Sequence, residues 1–257
     1  QTLLSQLCHP ENIPELQLPP PNPYLGDDYH LTIPQAENLT PRLLLDSDYT
    51  KLWFAQDDTF HSPKGDLYVS FDTPAFSDDL LAVAAKRIWL AALNDYLQAK
   101  YYRAEIAGLH YRIYGHQAGF SLHTRGFSNH QPKLAGQLLE TIYAFIPDQQ
   151  HFDRLKAMQI QSLENALMNK PTNRLFSRLS VIVQKNTQAP VDLLKAVKEC
   201  TYQHMRECLD NALKGYYVEC FMHGNWSEDE AQSFAEKLQQ QCTNANAGPM
   251  SRAVTAL

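Results

Sequence analysis

Hydrophobic and polar positions change their period along this chain, from strand-like alternation in its first half to helical spacing in its second. Alternating residues predict one strand from about Tyr49 to Phe54 and a second over 67–71. The stretches 109–114 and 120–124 alternate around a glycine-bounded turn and predict a β-hairpin. One more strand, 216–222, is predicted near the end of the chain.

Apolar residues spaced three and four apart predict the helices. The longest runs from about 79 to 102, capped by Ser77 or Asp78, with a buried stripe of Leu81, Ala84, Ala85, Ile88, Ala92 and Tyr96. The others are predicted over 132–144, 147–168, 173–183 (capped by Thr172 or Asn173), 190–212 and after a capping box at Ser227 and Glu230. The pattern predicts an α+β fold, with a mostly antiparallel sheet and helices packed on one face.

Three segments are predicted along the chain. Leu3, Leu4 and Leu7 share one side of residues 1–13, which are predicted to be the remnant helix of a preceding domain. Residues 14–45 are rich in proline, which forbids helix and favours extended backbone, so they are predicted to be a linker or an arm laid over a surface. Residues 46–257 are predicted to form the globular domain.

The composition of the chain limits the classes of partner that it is expected to bind. The chain has 22 Lys and Arg against 28 Asp and Glu, a net charge of −6, which argues against nucleic acid or an anionic membrane. Its longest apolar candidate, 80–97, contains four charged or amide residues, so no membrane span is expected. The five cysteines form no C-x-x-C and exclude a dense disulfide framework, although one bridge stays possible.

The strongest metal-like pattern is Cys200, His204 and Cys208, spaced four apart on one predicted helix. The outer two would be about 12 Å apart along the axis, too far to share one ion. The H-x-x-E-C of 204–208 has Glu207 where inverzincins carry their water-activating glutamate, but it has no identifiable third ligand. We therefore interpret both cysteines as small buried residues beside the inner face of the helix.

Four histidines lie in and beside the predicted hairpin: His110, His116, His123 and His130. Strand pairing would bring His110 near His123, which leaves a shared site open. The alternative is scattered surface histidines on the polar face of half-buried strands, and we favour it.

Long motifs along the chain resemble one protein family. They are SDYTKLWFAQDDTFHSPK over 47–64, AEIAGLHYRIY over 104–114, RGFSNHQPKL over 125–134, His-Gly-Asn at 223–225 before a capped helix, and Pro-Asn-Pro-Tyr at 21–24. Taken in chain order, and over nearly the whole chain, these motifs resemble the third domain of the insulinase (insulin-degrading enzyme and pitrilysin) family of zinc metallopeptidases. The resemblance implies that 46–257 is an inactive insulinase-type middle domain.

In that family the first domain bears H-x-x-E-H on the helix after its first strands, with a further glutamate downstream. The helix in the same place here, near 80–102, contains no histidine. No catalytic, metal-binding or cofactor-binding residue is therefore expected in this chain, and zinc is expected in the catalytic domain of a parent protein. The other domains of that polypeptide and its peptide substrates are the expected partners.

Two functions follow from the resemblance. The chain is expected to be a non-catalytic domain of a zinc metalloendopeptidase that walls a peptide-binding chamber. The alternative is a stand-alone interaction or assembly protein of the same fold, like the inactive core subunits of the family.

A periplasmic location is expected, with cytoplasmic as the alternative. The resemblance also implies a missing stretch between Ile13 and Pro14, whose Cα atoms we expect to be much farther apart than the about 3.8 Å of a peptide bond.

Overall fold

The computed structural model describes residues 20–26, 28–32, 40–184 and 187–244. The expectations for the helix at 1–13 and for the Ile13–Pro14 join lie outside these ranges. The described cysteines, Cys200, Cys208, Cys220 and Cys242, are free thiols.

Six strands form one sheet. They are β1 (Arg42–Asp46), β2 (Thr50–Gln56), β3 (Lys64–Asp72), β4 (His110–Gly115), β5 (Gly119–Phe127) and β6 (Tyr217–Gly224). Their order in the sheet is β1-β2-β6-β3-β5-β4, so the last strand lies between two early ones. Four pairings are antiparallel and β2 pairs with β6 in parallel, which confirms the mostly antiparallel sheet.

Eight α-helices are described. They are α1 (Leu80–Lys100), α2 (Tyr102–Ile106), α3 (Gln131–Ala144), α4 (Gln149–Leu167), α5 (Pro171–Val183), α6 (Pro190–Glu199), α7 (Tyr202–Ala212) and α8 (Glu228–Asn244). The predicted capping box of α8 is confirmed, because the Ser227 amide donates to Glu230 and the Glu230 amide donates to the Ser227 hydroxyl.

Helix α1 packs on the sheet as its alanine-rich stripe predicts. Ala85, Ile88 and Ala92 are buried, and the Trp89 ring meets Phe120 of β5 edge-on with centroids 5.3 Å apart. At the ends of the predicted stripe, Leu81 is half-buried and packs against the core, whereas Tyr96 is 41% exposed, so its prediction as a buried residue is wrong.

The caps of two helices differ from the prediction. The Asp79 carboxylate, rather than Ser77 or Asp78, accepts the hydrogen bond that begins α1, from the Ala82 amide. Helix α5 is capped by Lys170, two to three residues before the predicted caps, and Pro171 lies in its first turn. Proline is well suited to that turn because it has no amide hydrogen to leave unpaired.

The predicted helix 190–212 is two helices, which is a correction. Cys200 is extended, with ψ of 122°, and ends α6. Thr201 then begins α7 through a capping box with His204, which supplies partners for amide groups that a helix start leaves unpaired. Because the chain turns at Cys200, the three residues of the metal-like pattern do not share one helix.

Strand β1 lies at the end of the predicted linker 14–45, where the sequence pattern indicates no strand. Its residues pair with β2 across an irregularity between Leu43 and Leu45. The described part of the arm is anchored to the domain. The Tyr24 hydroxyl donates to Gln137 at 2.6 Å. The Thr32 amide donates to the Asn225 side chain, and the Thr32 carbonyl accepts from the Gln56 side chain.

Candidate functional site

The residues of the metal-like pattern have structural roles in this fold. His204 completes the cap of α7, and the Cys208 thiol donates to the Ala75 carbonyl at 2.9 Å. Burial raises the pKa of Cys200 to about 11 and that of Cys208 to about 12, so both thiols are neutral near pH 7. Glu207 accepts from Gln203 at 2.7 Å, one turn back.

No group of three or more His, Cys, Asp and Glu side chains is placed to hold a metal ion within the described ranges. That no zinc binds to this chain stays a prediction. None of the helices in these ranges has the length and apolar character that a bilayer span requires.

The four histidines do not form the shared site that their sequence positions left open. His110 lies opposite Arg125, not His123, and pairs with Glu105 at 2.5 Å. His123 bonds to Asp66 at 2.7 Å. His130 is in the helical turn after β5, where its Nε2 is buried without a hydrogen-bond partner among the described residues.

His116, Ser70 and Asp72 resemble a hydrolase triad in composition but not in geometry. The Ala118 amide donates to His116 Nδ1 at 3.2 Å, so the neutral ring carries its proton on Nε2. That same nitrogen faces both the Ser70 hydroxyl, at 3.1 Å, and the Asp72 carboxylate, at 3.9 Å. A base needs a free Nε2 toward the serine and its carboxylate on Nδ1, and neither condition is met.

The face of the sheet opposite the core carries a row of rings. Consecutive cross-strand neighbours are Trp53 in β2, Phe221 in β6, Tyr68 in β3 and His123 in β5, and we call these four residues the aromatic row. The Tyr68 and His123 rings stack with centroids 4.1 Å apart, and Phe221 stacks on Tyr68 at 6.3 Å. All four are half-buried, and the row extends about 14 Å across four strands spaced about 4.8 Å apart.

Charged side chains flank the aromatic row on the same face. Asp66 forms a hydrogen bond with His123 and lies 3.9 Å from Arg125. The Glu219 carboxylate accepts a hydrogen bond from the Trp53 indole at 3.0 Å. On β4, Arg112 lies opposite His123, next to the end of the aromatic row. The surface therefore offers ring faces for stacking, with both signs of charge beside them. The row was not among the sites predicted from the sequence, although each member stands at an alternating position of its strand.

A cleft lies beside α1, between α4, α6 and the β4–β5 turn, with a volume of about 600 Å³. The Lys86 ammonium donates to the His116 carbonyl at 2.7 Å, and the Arg87 guanidinium donates to Gln159 of α4 at 2.6 Å. No described carboxylate lines this cleft. The cleft borders helix α1, which contains no histidine, and it presents two cations.

The fold defines a class: an α+β domain with helices on one face of a six-stranded sheet, the fold of pitrilysin. The crystal structure of pitrilysin matches with a TM-score of 0.81 and 21% identity over 92% of this chain and 25% of that one. A peptidase M16 inactive domain from Pseudomonas fluorescens matches with a TM-score of 0.60 and 16% identity over 84% of this chain and 53% of that one.

A sequence model described as the middle or third domain of peptidase_M16 matches residues 1–196. The chain therefore belongs to the peptidase M16 family of zinc metallopeptidases, as its middle or third domain. Insulin-degrading enzyme of Drosophila melanogaster is 26% identical over 91% of this chain and 24% of its own length. This chain thus spans about a quarter of that relative, and the family resemblance is confirmed.

Proposed function

We propose that this chain is a non-catalytic domain of a zinc metalloendopeptidase of the insulysin and pitrilysin type, and that its aromatic row contacts the peptide in the reaction chamber. The observation that carries the proposal is the row itself, whose half-buried rings are flanked by charges on a face of the sheet away from the core. Rings bind apolar side chains, while the flanking charges bind peptide amides and charged groups.

Similarity supports the non-catalytic part of the proposal. The chain matches a middle domain and spans about a quarter of a long relative, so the zinc would be held by another domain of the parent protein. The likeness to a solved M16 inactive domain agrees with this assignment at the level of the fold.

Peptide binding to the aromatic row is tested by tryptophan fluorescence. Trp89 and Trp226 are buried, so Trp53 supplies most of the environment-sensitive signal. Titration with an unstructured synthetic peptide containing phenylalanine but no tryptophan should give a saturable change. The substitutions Tyr68→Ala and Phe221→Ala should each weaken binding about two- to tenfold, from the stacking energy of one aromatic pair.

The matched control is Tyr102→Ala on α2, which removes an exposed tyrosine outside the aromatic row. It should leave the affinity unchanged. Equal affinities for all four proteins, or no saturable binding, would contradict the proposed contact.

Helix α5 presents a second surface, an exposed apolar one, that a partner can cover. None of its residues is buried, and Leu175, Phe176, Leu179 and Ile182 are exposed along it. A 13-residue helix gains little stability in water without a packed apolar face. We propose that another domain of the same, longer polypeptide covers this face, as the length of the relatives supports.

Binding of a hydrophobic dye tests whether another domain covers the apolar face of α5. The chain alone should bind the dye strongly, and Leu175→Gln with Ile182→Gln should reduce the signal without lowering the melting temperature. Leu209→Gln, at a buried position of α7, is the control and should destabilise the chain. The longer polypeptide should show little α5-dependent signal, and an undiminished one would mean that no other domain covers the helix.

A further inference from the structure

We propose that the cleft between α1, α4, α6 and the β4–β5 turn binds a small molecule bearing an oxyanion group of about two negative charges, either a phosphate or a dicarboxylate. Lys86 and Arg87 are the residues that would hold it. None of the four residues of the aromatic row lines the cleft, so this site is separate from the proposed peptide contact.

The described lining of the cleft is positively charged. Two cations face the cleft and no described carboxylate does. Within the described ranges, neither Lys86 nor Arg87 forms an ion pair, although six ion pairs of other lysines and arginines with carboxylates are found, including Lys198 with Glu164 at 2.7 Å. A dianion would balance the two cations.

Lys86 is a buried lysine, only 6% exposed. A buried charge is costly unless it is paired, and its partner in this structure is a neutral carbonyl, that of His116. Desolvation lowers the pKa of Lys86 to about 8, so the side chain still carries its proton at pH 7. A bound anion would supply the missing partner.

The Lys86 and Arg87 side chains both have hydrogen-bond donors that no described residue uses. An ammonium group has three donors, and one of those of Lys86 is used by His116. The Arg87 guanidinium uses its Nε to reach Gln159, which fixes the plane of the fork, and no described residue accepts a hydrogen bond from its two terminal nitrogens. Burial also lowers the pKa of His116, so this ring is neutral at pH 7 and adds no third positive charge to the cleft.

The size of the cleft fits a small organic anion rather than a macromolecule. Its volume of about 600 Å³ lies within the range of about 300–1,000 Å³ found for small-molecule sites. The neutral part of the lining, including Asn94, Gln117 and Tyr114, can contact the remainder of such a molecule. The Asn94 amide is held by the carbonyls of Leu90 and Ile113, at 2.8 and 3.1 Å, so the cleft is shaped before any ligand arrives.

Calorimetric titration of the full chain at pH 7 tests the site, with inorganic phosphate and succinate as the two probes and sodium chloride at matched ionic strength as the reference. At least one probe should bind at one site per chain. The probe that binds more tightly identifies the oxyanion as phosphate or carboxylate. Lys86→Met and Arg87→Gln should each weaken that binding at least tenfold.

Two control substitutions of the same kinds, Lys195→Met and Arg174→Gln, remove exposed cations outside the lining and should leave the affinity unchanged. Melting temperatures without ligand establish that each variant is folded, and Arg87→Gln gives an independent answer at a half-buried position should Lys86→Met misfold. Saturable binding by neither probe, or binding that both cleft variants retain, would overturn the proposal.

Discussion

Gly224 shows how a single position in this sheet excludes a side chain. Its φ is +133°, and a Cβ there would lie 2.4 Å from the Gly65 Cα and 2.5 Å from the Lys64 carbonyl oxygen. Backbone atoms cannot yield as a flexible side chain can. We expect Gly224→Ala to lower the free energy of unfolding by about 2–3 kcal/mol, measured by urea denaturation.

Gly136 is the matched control, because it lies inside α3 and a Cβ added there would have nothing within 4 Å. Alanine has the higher helix propensity, so Gly136→Ala should raise the free energy of unfolding by about 0.5–1 kcal/mol. Similar effects of the two substitutions would show that the backbone of β6 is not constrained as described.

Lys86 predicts a pH dependence of stability. Its pKa is about 8 in the folded chain against 10.5 for an ordinary lysine. Between these values the unfolded chain binds more protons than the folded one, so the lysine's contribution to stability rises as pH increases from 8 to 10.5. Below pH 8 both states are protonated and the buried charge is a constant cost.

We therefore expect Lys86→Met to stabilise the chain by about 1–3 kcal/mol at pH 7 and by progressively less toward pH 10.5. His116, whose pKa is lowered, faces this lysine and changes charge below that window. Cys208 also faces it, with a pKa of about 12 in the folded chain against an ordinary 9.0, but this cysteine is present in both proteins and its own contribution cancels in the difference. Urea denaturation at several pH values measures the difference. A gain that is independent of pH would contradict a charged Lys86.

At the scale of the element, the cap of α7 predicts that His204 is a structural residue. Thr201→Ala should cost about 1 kcal/mol, since its hydroxyl accepts from the His204 amide, and His204→Ala should cost less. Neither substitution should change the zinc content, which we expect to be below one ion per chain. One tightly held zinc, lost on His204→Ala, would show by metal analysis that the residue is a ligand.

Elements with a strong local pattern were predictable from the sequence. Strand β3 alternates throughout, α1 has its alanine stripe and α8 has its capping box, so local spacing alone indicates each of them. The break between α6 and α7 was missed because the apolar spacing continues from Leu194 to Ala212. Thr201 was the available signal, since threonine is a favoured N-cap. Strand β1 was missed because its apolar residues do not alternate.

At the scale of the whole molecule, the aromatic row could not be predicted because its members come from four strands. Trp53 and Phe221 become neighbours only when β6 inserts between β2 and β3, a pairing between residues far apart in the sequence. The cleft could not be predicted for the same reason: its residues come from separate elements, and Arg87 of α1 donates a hydrogen bond to Gln159 of α4. The absence of H-x-x-E-H, by contrast, is a property of the sequence itself.

The role proposed for this chain is to contact peptide without cleaving it. The most direct test incubates the purified full chain with unstructured peptides, with and without a metal chelator, and follows the products by mass spectrometry. We predict intact peptides under both conditions, together with fluorescence-detected binding that Tyr68→Ala weakens. Chelator-sensitive cleavage that survives repurification and is abolished by Glu207→Gln would contradict this role.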